Sequence, residues 1–244
     1  METMLVSSGV IRLWDLHRER LLEGMTLLGY RQAPDMAEQF SSQVLRLCEA
    51  EGCLAAARVR LNVFRKEGAL FEAEPSPVSW LIRARVAEPS SLQFQETGIL
   101  TGLYTGVTRS CHAISHLKTQ NYLASVMAAR YAASRGWGDA LLLNDAGRVA
   151  ESAIANVFIV KDGVIRTPPL REGCVAGVMR RHLLETLPAR GYQVREQPLT
   201  PRDLQTAEEI FLTNAIRRVR PVAELEGRRY RTETAREIFS LVTV

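Results

Sequence analysis

The sequence predicts an α/β protein of two domains, with mixed sheets and flanking helices. Three observations carry this. Strand-like and helix-like segments alternate along all 244 residues, a length that can hold two cores of ordinary size. Hydrophobic residues make up 46% and charged residues 24%, the balance of a folded globular chain and not of a disordered or fibrous one. A turn-rich stretch, "AEPSSLQF" at residues 87–94, separates two runs of such segments. The expected division is a small α/β domain over residues 1–86, a linker over 87–94 and a larger α/β domain over 95–244.

Taken in order, "TMLVSSGVIRL" reads as a strand that turns back at Ser-Ser-Gly. A helix is expected over 15–28. Pro34 opens a second one, in which Met36, Phe40, Val44 and Leu47 recur at helical spacing. "ARVRLNVFR" and "VSWLIRARV" read as strands joined by the irregular segment 66–77. Past the linker, "TGILTGLY" reads as one strand, followed by a helix over 120–134. "DALLLND", "GRVAESAIANVFIVKDG" and "VIRTPPL" suggest a meander with turns at 145–147 and 161–163. A helix over 175–187 precedes the strand "GYQVREQPL". In "LTPRDLQTA", Thr200 can cap a helix, Pro201 suits its first turn and Asp203 lies near its positive end. "EEIFLTNA" and "RVRPVAEL" are late strands, and "TETAREIFSLV" is a closing helix.

Several function classes are disfavoured. No apolar run approaches about 18 residues, and the N-terminus lacks a basic region followed by a long apolar core, so neither a membrane span nor a signal peptide is expected. Cys48, Cys53, Cys111 and Cys174 show neither metal spacing nor a disulfide framework, which fits a reducing cytoplasm. The net charge of +4 comes from scattered arginines with acids interspersed, a weak signal for nucleic acid. No dinucleotide or P-loop glycine pattern is present, the four histidines include no HExxH, and no GxSxG elbow supports a serine hydrolase.

Only three of the 31 basic residues are lysines, Lys66, Lys118 and Lys161, which leaves 28 arginines. Lys66 and Lys161 sit at exposed turns or strand ends. Lys118 stands where the chain enters a helix patterned by Leu123, Val126 and Met127. A lysine held there near a cleft could have its pKa lowered by desolvation or by a neighbouring cation, which amine chemistry requires. An ordinary solvated or paired lysine is the competing reading. Glu151 interrupts an otherwise strand-like segment of small residues, so it is either a buried acid facing a ring nitrogen or a solvent-facing or arginine-paired side chain. "GCVAGVMRR" could offer helix-start N–H groups to a phosphate, though alone that pattern is weak.

Together, "ETMLV", the "HRERL" stretch running to Gly29, "HLKTQNYL", "DALLLNDAGRVAESAIANVFIVKDGVIRTPPL", "GCVAGVMR" and "FLTNAIRRVRPV" resemble the fold-type IV pyridoxal-phosphate enzymes, the class-IV aminotransferase family. The resemblance runs nearly end to end and implies a D-amino-acid-aminotransferase-like fold with pyridoxal 5′-phosphate as cofactor. By that resemblance Lys118, in the larger domain, forms the Schiff base with the cofactor aldehyde and shuttles the substrate α-proton. Arg20 holds the phosphate, and Glu151 faces the pyridine nitrogen and keeps it protonated. Val178 and Met179 at a helix start, and Ala215 and Ile216 in a late loop, act through backbone N–H groups. The chemistry needs each type, because the ring accepts electrons only when protonated and a guanidinium matches a phosphate dianion.

Within the family, Glu2-Thr3 and "TNAIRRVRPV" are more similar to 4-amino-4-deoxychorismate lyase, with Thr3 helping to position or protonate the departing pyruvyl unit. That reaction releases pyruvate and forms 4-aminobenzoate for folate synthesis. Its anionic substrate could be attracted by Arg58, Arg60, Arg109 or Arg217, with Asn214 nearby. Tyr122 points the other way, toward an aminotransferase of branched-chain or D-amino acids, and a non-catalytic binding protein on the same fold is the remote alternative. The resemblance also implies a homodimer taking a small anionic amino-group substrate, with no metal, nucleic acid or membrane partner. The family pattern opens about 25 to 30 residues earlier: either the start codon is assigned late or that element is lacking, and if it is lacking, a sheet edge of the first domain is left open and the substrate side of the pocket is incomplete.

Overall fold

The computed structural model describes residues 1–66 and 75–242. They form two compact units, one of Met1–Ser91 with Leu117–Gln120 and the other of Leu92–His116 with Asn121–Val244. Most of the irregular connection expected over 66–77 lies outside the described residues.

The first unit is built from β1 (Glu2–Ser7), β2 (Val10–Ile11), α1 (Trp14–Leu27), α2 (Met36–Ala50), β3 (Ala56–Arg65) and β4 (Val78–Val86). The strands form an antiparallel sheet in the order β2-β1-β3-β4. The expected turn falls at Ser8-Gly9, whose φ values of 51° and 75° are the paired left-handed residues a two-residue hairpin requires. Strand alternation decides which side is covered. Met4 and Val6 of β1 and Val59, Leu61 and Val63 of β3 point into a core shared with Leu21, Met25, Phe40 and Val44 of the helices. Phe40 and Trp80 meet edge to face at 5.2 Å, and the Trp80 indole donates to Gln43 Oε1 at 2.8 Å. Each fully buried side chain of this size contributes about 1.5–3 kcal/mol.

The second unit runs through β5 (Ile99–Thr101), β6 (Leu103–Arg109), α3 (Leu123–Ser134), β7 (Leu141–Asn144), β8 (Val149–Ser152), β9 (Asn156–Lys161), β10 (Val164–Thr167), α4 (Val178–Thr186), β11 (Gln193–Glu196), α5 (Pro201–Thr206), β12 (Glu209–Asn214), β13 (Arg218–Leu225), β14 (Arg228–Arg229) and α6 (Glu233–Leu241). Its larger sheet has the order β11-β10-β9-β12-β13-β14, with β5 also pairing β13, and a smaller one has the order β6-β7-β8. Both are mixed: β10/β11, β5/β13 and β6/β7 are parallel, and the remaining pairs antiparallel. The run "NVFIV" is buried on both faces of β9, which is why it reads as continuously apolar. Val157 and Ile159 join Ile210, Leu212, Leu141 and Val149 in one core. Phe158 and Phe211, cross-strand partners, stack at 5.1 Å on the opposite face.

One expected strand is divided in two. "TGILTGLY" breaks at Gly102 into β5 and β6, which enter different sheets. The ring of Trp137 lies 2.1 Å from where a Gly102 Cβ would stand, so only glycine lets the chain pass there. The domain expectation also shifts: Lys118 groups with the first unit and not the second. Leu117 is buried, with its Cδ2 3.9 Å from a would-be Gly24 Cβ on α1, and the Met1 nitrogen donates to Lys118 O at 2.8 Å. No helix among the described residues is long and apolar enough to cross a membrane.

Candidate active site

In the first unit the side chains expected to handle a cofactor gather around the start of β1. Arg20 and His17 lie one helical turn apart on α1, and both reach Glu2. Arg20 Nε donates to Glu2 Oε1 at 2.9 Å and Nη2 donates to Glu2 Oε2. His17 Nδ1 donates to the same Oε2 at 2.6 Å. Burial alone would raise the Glu2 carboxyl, but the Arg20 guanidinium and the His17 hydrogen bond outweigh it and hold the pKa down to about 2. Burial lowers the pKa of His17, against the pull of Glu2, and the Arg20 and Lys118 charges lower it further. The histidine is therefore the neutral tautomer with its proton on Nδ1. Glu2 and His17 were not singled out from the sequence as site residues. The i, i+3 spacing of His17 and Arg20 was the only local signal.

Strand alternation sends Thr3 to the other face of the sheet from Glu2. There Thr3 pairs in register with Arg60 and Leu5 with Arg58, while β4 places Arg83 opposite Arg60 and Arg85 opposite Arg58. Arg60 Nη2 approaches Met1 Sδ at 3.2 Å. Burial, then the charges of Arg85 and Arg60, lower the pKa of Arg58. Thr3 and Arg60 are thus direct neighbours, with Arg58 one row further along.

The second unit holds the remaining expected residues. Glu151, on β8, is 5% exposed. Its Oε1 pairs with Arg109 Nη2 at 3.0 Å and its Oε2 accepts the Val175 N–H at 2.9 Å. Arg109, expected among the substrate-binding candidates, is the counter-ion of Glu151, because the end of β6 runs beside β8 across β7. The turn before α4 has Gly177 as its N-cap, and the first helical bond is Arg181 N–H to Gly177 O at 2.9 Å. The N–H groups of Val178 and Met179 therefore have no acceptor within the helix, while their side chains are buried in the core. The late loop departs from expectation. Asn214 Oδ1 accepts the N–H of Ile216 at 3.0 Å and of Arg217 at 2.9 Å. The Ile216 donor is thus engaged by an Asx turn, and Asn214 acts as loop scaffold. Ala215 lies between them, and Tyr122 is half-buried at the N-cap of α3. The first unit offers an anchored guanidinium and an amine, and the second, by itself, a buried carboxylate and helix-start donors; each is a residue type that a phosphorylated pyridine can use. Among the described residues no cluster of His, Cys, Asp or Glu could hold a metal ion.

This α/β arrangement of mixed sheets with flanking helices is the fold-type IV architecture of pyridoxal-phosphate enzymes. Residues 1–225 match the family described as amino-transferase class IV, and the chain belongs to it. Pyridoxal 5′-phosphate is the cofactor typical of that family. A branched-chain-amino-acid aminotransferase of Pseudomonas aeruginosa is 35% identical over 108 residues, 44% of this chain and 35% of that protein. The chain thus spans under two-fifths of the length of the curated relatives it matches. The structure of a branched-chain aminotransferase from Thermoproteus uzoniensis is similar with a TM-score of 0.86 at 26% identity, over 98% of this chain and 82% of that one. That of a 4-amino-4-deoxychorismate lyase from Pseudomonas aeruginosa has a TM-score of 0.84 at 27% identity, over 99% of this chain and 88% of that one.

Proposed function

We propose that the protein is a pyridoxal-phosphate-dependent aminotransferase acting on branched-chain amino acids. The observation that carries this reading is Glu151, a carboxylate buried in β8 and counter-charged by Arg109, in a chain whose curated relatives include branched-chain-amino-acid aminotransferases. That naming reverses the preference for a lyase drawn from the sequence pattern. When bound, the cofactor supplies an aldehyde and an electron-accepting ring. Lys118 serves as the amine that takes and returns the proton at the substrate Cα. Arg20, kept in place by Glu2, would bind the phosphate, as would the N–H groups of Val178 and Met179. Glu151 holds the proton of the ring nitrogen. Thr3 and Arg60 orient the substrate carboxylate.

The lyase stays as a second reading because Arg58, Arg60, Arg83 and Arg85 share the sheet face of Thr3, a setting that suits a more anionic substrate. One assay separates the two. Leucine, isoleucine or valine with 2-oxoglutarate should yield the branched keto acid and glutamate. Release of pyruvate and 4-aminobenzoate from aminodeoxychorismate, with no keto acid from the amino acids, would overturn the aminotransferase reading. A wild-type protein that takes up no pyridoxal phosphate would sink both. Dimerisation in solution is part of the proposal and is read by sedimentation.

A further inference from the structure

The turn that leads into α4 is held from outside at both peptide groups of a single residue. Glu151 Oε2 accepts the Val175 N–H at 2.9 Å. Asn156 Nδ2, from the first residue of β9, donates to Val175 O at 2.8 Å. Gly177 N–H folds back onto the same Val175 oxygen at 2.8 Å, and Ala176 N–H donates to His116 O at 2.9 Å. Asn156 is 5% exposed and paired in register with Thr213 of β12, so its backbone is fixed in the centre of the large sheet.

Gly177 reports how closely this asparagine fits. Its φ of −66° and ψ of 134° are open to any residue, so the backbone conformation does not call for glycine. Space does. A Cβ there would stand 1.9 Å from Asn156 Oδ1 and 3.1 Å from its Cγ, and the next residue met, Arg180, comes no nearer than 3.4 Å with its Cβ. The side chain of Asn156 thus occupies the volume beside the helix start and fixes the carbonyl two residues before it.

We propose that Asn156 is a positioning residue for the cofactor phosphate, acting through Val175 and Gly177 to aim the N–H groups of Val178 and Met179. This rests on the pyridoxal-phosphate reading above. Val175 also ties that turn to Glu151, so the donors for the phosphate and the acid for the ring nitrogen are set by one residue of the chain. A side chain with this role matters for ligands that carry the phosphate and not for the ring alone.

The test is equilibrium binding of pyridoxal phosphate and of pyridoxal, which lacks the phosphate, to cofactor-free protein, followed by absorbance and fluorescence. Asn156→Ala should weaken pyridoxal phosphate about tenfold, the cost of losing one buried hydrogen bond, and leave pyridoxal unchanged. Asn156→Asp keeps the size but removes the donor, and should show the same selective loss if the alanine variant does not fold. Gly177→Ala should also weaken pyridoxal phosphate about tenfold or more in the native background, yet add under about twofold to Asn156→Ala, where the clash is gone. Native affinity in both Asn156 variants, equal losses for the two ligands, or independent multiplying losses for Asn156 and Gly177 would overturn the proposal. A wild type that binds no pyridoxal phosphate would instead overturn the functional reading beneath it.

Discussion

Replacing Glu2 by glutamine tests the arrangement that holds Arg20. The carboxylate is 1% exposed and accepts from Arg20 twice and from His17 once. Its pKa is about 2 in the folded protein against an ordinary 4.5, a difference worth about 3 kcal/mol by linkage. Breaking a buried ion pair independently predicts about 3–5 kcal/mol, so about 3 kcal/mol at pH 7 is the expected loss for Glu2→Gln. The folded pKa lies below the unfolded one, so this stabilisation is complete above about pH 4.5 and is lost as pH falls toward 2. At pH 3 about 1 kcal/mol should remain. His17 acts in the same direction, since its lowered pKa removes stability as pH falls below its ordinary 6.5. Urea unfolding of wild type and variant at pH 7, 5 and 3 reads these differences. A gap of under about 1 kcal/mol at pH 7, or one that does not shrink by pH 3, would refute the assignment of Glu2 as the charged anchor of Arg20.

Arg109→Met leaves Glu151 buried without its counter-ion and should destabilise the protein by about 3 kcal/mol in the same urea assay; an unchanged midpoint counts against the pair. Phe158→Ala removes one of two stacked, fully buried rings, and calorimetry should show a loss of about 3–5 kcal/mol. Thr200→Ala breaks the capping box with Asp203 at the start of α5 and should cost about 1 kcal/mol. Native protein should give one equivalent of reaction with a thiol reagent, at the exposed Cys111, because Cys48, Cys53 and Cys174 are buried. Burial, first among the causes, also pushes the Cys48 thiol up to about 11 and the Cys174 thiol up to about 12. Rapid labelling of a second cysteine before unfolding would contradict that burial.

The features legible in the sequence are those written into neighbouring residues. Ser8-Gly9 marks its hairpin, Thr200, Pro201 and Asp203 mark the start of α5, and the alternation of β3 marks its buried face. What stayed hidden depends on residues far apart in the chain. The break at Gly102 is imposed by Trp137. Arg109 and Glu151 meet only because β6 and β8 flank β7. Asn214 looked like a group for the substrate, yet its amide oxygen is used by the N–H groups of Ile216 and Arg217, and no local pattern distinguishes a scaffold asparagine from a binding one. Glu2 and Thr3 show the same limit in the smallest space: adjacent in sequence, they serve opposite faces of one sheet.

The scarcity of lysine acquires a physical meaning from the buried pairs. The buried carboxylates of Glu2, Glu151 and Glu172 are met by Arg20, Arg109 and Arg148. A guanidinium stays charged at any physiological pH and offers a rigid fork of donors, so it holds a buried carboxylate without competing for a proton. A lysine in those positions would add amines able to titrate and to attack a carbonyl. Lys161 is spent on an exposed contact to Thr206, and Lys66 is exposed. Lys118 is the lysine whose charge bears on His17, and the Met1 α-amino nitrogen, which donates to Lys118 O at 2.8 Å, is a second amine beside it. With arginine as the counter-ion of the buried carboxylates, Lys118 would be the side-chain amine that the proposed attachment of a carbonyl cofactor requires.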